Sequence, residues 1–98
     1  MPALGEYANV YNSALEVLRQ KGYRIWKNER ADMFCAEKDG WDFMADGAVA
    51  LLGLVAMYEF HGPEAYSEYW WKKEGPLDFP NLPTDPPDYD AVWEKKPK

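Results

Sequence analysis

The groups in this chain that could do chemistry are few and far apart. Its nucleophile candidates are Cys35, Ser13, Ser67 and Thr84, and His61 is its single histidine. A base–nucleophile pair of His61 and Ser67, oriented by Glu64, would have to form across the Gly62-Pro63 junction, and no glycine-rich elbow surrounds Ser67. The simpler expectation is a helix-end histidine beside a surface serine. Cys35 would be reactive only beside a cation that lowers its pKa, with Arg24 and Lys27 the nearest suppliers. Otherwise it is a small buried hydrophobe.

The sharper oddity is a pair of carboxylates. Asp39-Gly40 between two short apolar runs is the signature of a two-residue hairpin turn. That turn sets Lys38 opposite Trp41, Glu37 opposite Asp42, Ala36 opposite Phe43, Cys35 opposite Met44 and Phe34 opposite Ala45. Like charges directly across a hairpin are unfavourable, so Glu37 and Asp42 call for a cation. Arg24 or Lys27 can supply it. Glu37 and Asp42 are weak metal candidates, because a divalent ion needs more oxygen ligands than two carboxylates and a possible third at Asp39. No phosphate loop, zinc spacing or calcium loop occurs, and no cofactor is expected.

Aromatic residues offer binding chemistry instead. Trp26, Tyr66 and Trp70 could line a ligand pocket between a sheet and a third helix. Trp71 falls off the apolar stripe of that helix, and an exposed tryptophan is a frequent interface anchor. Phe79 and Trp93 in the C-terminal segment are further anchors. Met33, Cys35 and Met44 form a second apolar sheet face that needs cover, from the third helix, the tail or another subunit.

The elements that must hold these groups are legible from periodicity and punctuation. Residues 6–21 carry Tyr7, Tyr11, Ala14, Leu15 and Leu18 on one helical stripe, closed by Gly22. Residues 23–28 alternate as a strand, and 33–38 with 41–45 make the hairpin, its face of Phe34, Ala36, Trp41, Phe43 and Ala45 turned to the core. From Ala48 to Tyr58 no side chain is charged or strongly polar, which predicts a helix over 47–61 buried all round. Asp46 is its expected cap and Gly62 its expected stop, while Gly53 suggests another backbone close by, most simply the first helix. A third helix is expected from Pro63 to Lys73, striped by Ala65, Tyr66, Tyr69 and Trp70. The order is α-β-β-β-α-α, a small α+β body over 1–75, with a three-stranded antiparallel meander against the buried helix. A proline-rich acidic tail, 76–98, follows, either wrapped on the body or flexible.

The totals narrow the function classes. A chain of 98 residues has room for one core. The net charge is −6, shared evenly between 1–73 (8 basic, 11 acidic groups) and 74–98 (3 and 6), with no basic run. Phosphate binding depends on Lys and Arg, so nucleic acid and anionic membrane are poor partners. The Ala48–Tyr58 run is too short to span a bilayer, the N-terminus has no basic-then-apolar leader, and one cysteine suits a reducing cytoplasm. The chain reads as a non-enzymatic interaction or regulatory protein that meets an unknown protein partner or itself. A small-ligand domain with an aromatic pocket is the alternative. An enzyme using Cys35, His61 or the Glu37/Asp42 pair comes third.

Overall fold

A computed structural model of the chain describes residues 3–62, 66–72, 75 and 81–94. They form a small α+β fold in which two helices lie on one face of a three-stranded antiparallel sheet. The chain divides into two compact units, Glu6–Trp71 and a second that unites Met1–Gly5 with Lys72–Lys98.

In the larger unit α1 (Val10–Gln20) leads into β1 (Arg24–Asn28), β2 (Met33–Lys38), β3 (Trp41–Ala45) and α2 (Ala48–His61). The helix expected from residue 6 begins at Val10, and only Ala14 and Leu18 of its stripe are buried; Tyr7, Tyr11 and Val17 stay exposed. Gly22, at φ +93°, makes the left-handed step that turns the chain from α1 into β1. The sheet order is β1-β2-β3, with both outer strands free as edges. Asp39 and Gly40 take φ of 53° and 86°, the two positive values a type I′ turn needs. The hairpin register is the one its Asp-Gly turn dictates, Lys38 against Trp41 through Phe34 against Ala45. The core is built from Leu18, Tyr23, Ala36, Ala45, Leu51 and Val55, with Phe34 and Phe43 packed at its margin.

Three expectations about the helices fail. First, α2 is not buried all round. Ala48, Leu51, Val55 and Tyr58 face the core, whereas Met57 is half exposed and Phe60 is 94% exposed. A core of two helices and one small sheet covers one face of α2 and has no further layer for the other. Second, Gly53 meets no backbone; a Cβ placed there would lie in open space. Third, no helix fills 66–72. Residues 68–71 turn instead, and Tyr69 adopts a left-handed φ of 59°, which ends any helical run there. Residues 63–65 and 73 of that expected helix lie outside the described set. The cap also differs in detail. Gly47 occupies the N-cap position of α2 without a side-chain bond, one residue after Asp46. Gly62 does close the helix, donating its N–H to the carbonyl of Tyr58 at 2.9 Å.

In the smaller unit, residues 81–90 are exposed and carry no strand or α-helix, as their prolines require. A 3-10 turn at Val92–Glu94 follows.

Candidate functional site

The hairpin tip borders a concavity in the larger unit. Six consecutive residues, Asp39 to Met44, line a cleft of about 610 Å3, which therefore runs along the outer edge of β3. Leu54 and Met57 of α2 form a second wall, and Tyr66, Trp70 and Trp71 from the turn after α2 form a third.

Trp41 sits at the centre of the ring contacts. Its ring lies 4.7 Å from that of Tyr58 and 6.0 Å from those of Tyr66 and Trp70, the last edge-to-face. Trp70 in turn meets Tyr58 at 5.9 Å and His61 at 5.5 Å, while Trp71 packs edge-on against Tyr69. Such offset and edge-to-face pairs are the favourable arrangements for rings, so the third wall is held by its own aromatics rather than by a helix.

The ladder leaves polar groups on this side. In a two-residue hairpin the pair flanking the turn exchanges both backbone bonds, so Lys38 with Trp41 and Ala36 with Phe43 are the bonded pairs. The N–H and C=O groups of Asp42 and Met44 consequently point outward along the free edge. The carboxylates of Asp39 and Asp42 add two negative charges, and neither is ion-paired or hydrogen-bonded among the described residues. The field of Asp39 reaches inward: burial first, then Asp39 and Glu59, push the Tyr58 phenol above its ordinary pKa.

Glu37 behaves differently from the residue it faces. Its Oε1 accepts from Nε of Arg24 at 2.8 Å and from a second guanidinium nitrogen, and its Oε2 accepts the Gly40 N–H at 2.9 Å. The Gly40 bond first, then Arg24, hold its carboxyl below the ordinary value. Both oxygens are therefore engaged within the hairpin and its neighbouring strand. No group of three potential metal ligands occurs among the described residues.

The remaining candidates are dispersed. Cys35 is buried at the centre of the sheet's second face, between Trp26 and Met44 in register. The two cations that could activate it are engaged elsewhere, Arg24 by Glu37 and Lys27 by Asp32 at 3.2 Å and the Phe34 ring at 4.9 Å. Ser13 and Ser67 are exposed, and His61 is an exposed helix-end residue set edge-to-face against Trp70. Of the three expected pocket residues, Tyr66 and Trp70 line the cleft. Trp26 does not, because it lies on β1, the far edge strand, with β2 between it and the cleft along β3. Met33 is half-buried, Met44 half-exposed and on the cleft, and Trp71 half-exposed and on it too. Trp93 is exposed in the smaller unit, and Phe79 lies outside the described residues. Trp41, Asp39, Leu54 and Met57 join the site without having been singled out for it. The available signal was the Asp-Gly turn, which puts Asp39 and Trp41 at the tip of an edge hairpin.

Compared with family models, curated proteins and solved structures, the chain matches none. No described helix is long and apolar enough to cross a membrane.

Proposed function

We propose that this protein is a non-enzymatic interaction module that receives an extended segment of a partner protein in the cleft along β3. One observation carries the reading: a 610 Å3 aromatic cleft runs beside a strand edge whose backbone donors and acceptors face outward. An added strand satisfies such an edge through main-chain bonds, while a neighbouring pocket selects its side chains. The apolar surface does not stop at the cleft. Met57 continues one turn along α2 to Phe60, and Trp71 continues to Tyr69, giving a rim wider than a small molecule would cover. The cleft volume itself lies within the range of small-ligand sites, which supports a metabolite-sized ligand as the second reading.

Panning a random peptide library on the immobilised full chain tests the proposal, followed by 15N NMR mapping of the enriched peptides. The expected result is a set of peptides that shift the amides of Asp42 and Met44 and the indoles of Trp41 and Trp70. Met57→Glu, a change at a half-exposed position, should abolish enrichment while preserving the fold. Peptides that map elsewhere, or no enrichment over Met57→Glu, would overturn the reading.

A further inference from the structure

We infer that the residue this cleft selects is a basic side chain, an arginine or lysine carried by the extended segment, with guanidinium the better fit. The inference rests on the interaction reading above and adds the chemistry of the anchor. Three observations on different parts of the site point to it.

The first is the charge inventory. Within Glu6–Trp71, Arg19 pairs with Glu16, Lys21 with Glu59, Arg24 with Glu37 and Lys27 with Asp32, while Lys38 donates to the carbonyl of Lys21. Arg30, the remaining cation of that unit, sits in the β1–β2 turn at the opposite end of the sheet from the Asp-Gly tip. Among the described residues no cation is ion-paired with Asp39 or Asp42, both of which line the cleft; Lys38, beside Asp39 in the chain, directs its Nζ to a backbone carbonyl instead.

The second is that neither carboxylate serves the fold. The first position of a type I′ turn accepts Asn as readily as Asp, so the charge at Asp39 is not what the turn requires. Aspartate is disfavoured in strands, and Asp42 also faces Glu37, a like charge directly across the ladder. A neutral residue would suit both positions at least as well.

The third is the lining between them. Trp41, Tyr66 and Trp70 present rings whose quadrupoles attract a cation, and Leu54 and Met57 offer an apolar wall for its stem. A guanidinium can stack on an indole and still donate in its own plane to a carboxylate, which an ammonium cannot do.

A matched pair of peptides decides the matter: acetyl-Thr-Val-Arg-Val-Thr-amide and the same peptide with citrulline, the neutral isostere of arginine. Each is titrated into the full chain, with indole and backbone amide resonances as readout. The arginine peptide is expected to shift the Trp41 and Trp70 indoles and the Asp42 and Met44 amides, and the citrulline peptide to bind about tenfold more weakly or worse. Asp39→Asn and Asp42→Asn, both tolerated by the backbone, should each weaken the arginine peptide about threefold or more and the citrulline peptide by a smaller factor. Equal binding of the two peptides would sink the cationic anchor while leaving segment binding intact. No cleft shift from either peptide at millimolar concentration would sink both. Butylguanidinium alone, matching the peptide in affinity, would overturn the partner-segment assignment in favour of a free organic cation.

Discussion

The two edges of the one sheet are finished in opposite ways. On the β1 side most charges near the sheet have a partner: Arg24 holds Glu37, Lys27 holds Asp32, and Lys21 reaches Glu59 at 2.7 Å while Lys38 donates to the Lys21 carbonyl. Tyr23 closes this side, packed edge-to-face on Phe43 with its hydroxyl 3.4 Å from Glu59. Charged edge residues such as these are the usual defence against strand addition. On the β3 side Asp39 and Asp42 have no ion pair among the described residues, Met44 and Met57 are half exposed, and the aromatics stand around a cleft. One edge is engaged by interactions within the chain; the other borders a cleft whose aromatic and acidic groups make fewer of them.

Helix α2 borders both sides, and it offers the largest expected contrast. Leu51 is fully buried, so Leu51→Ala should cost about 2–5 kcal/mol in urea unfolding. Phe60→Ala, on the outer face, should change stability by less than about 0.5 kcal/mol. Comparable losses would mean that the outer face is also structural, and the contrast between the two sides would not hold.

The sealed side makes the next prediction. Burial, followed by the charge of Glu59, pushes the Tyr23 phenol up to about 12. The raised value means that the folded state favours the neutral phenol. That stability is complete below the unfolded pKa near 10 and is lost as pH rises through the folded value. Wild type should therefore lose about 2–3 kcal/mol more than Tyr23→Phe between pH 10 and 12. Parallel alkaline curves for the two proteins would show that Tyr23 is not sealed.

The sequence made local turns and their register easier to read than the layers that cover each element. A two-residue Asp-Gly turn leaves one register, so the ladder and the Glu37–Asp42 conflict followed from six residues. Gly62 marked the end of α2 for the same reason, since a left-handed C-cap is a local requirement. What failed depended on supply rather than on local preference. A helix apolar all round reads as buried, but nothing in its own residues says whether enough other elements exist to cover it. Ala65, Tyr66, Tyr69 and Trp70 have helical spacing, yet Tyr69 turns left-handed and the rings pack on Trp41 and on one another instead. Trp26 was grouped with Tyr66 and Trp70 by residue type, but the sheet order puts its strand, β1, at the far edge from the cleft. The cleft itself lay between segments, where periodicity carries no information.

The smallest effect is the most discriminating, because Glu37 and Asp42 are the same chemistry at facing positions. Glu37 is held below its ordinary pKa of 4.5 by the Gly40 N–H and by Arg24. A depressed carboxyl contributes stability that is present above the unfolded pKa and is lost as pH falls through the folded one. Glu37→Gln should thus lower the urea midpoint at pH 7 and flatten its decline below about pH 4.5, an ordinary carboxylate value. Asp42→Asn removes a repulsion and no bond, so its midpoint at pH 7 should stay level or rise by a few tenths of a kcal/mol. The two variants should therefore move in opposite directions at neutral pH. If Asp42→Asn destabilises as Glu37→Gln does, Asp42 has a structural partner after all. The β3 edge would then be as finished as the β1 edge, and the case for a cation from outside the chain would lose its charge argument.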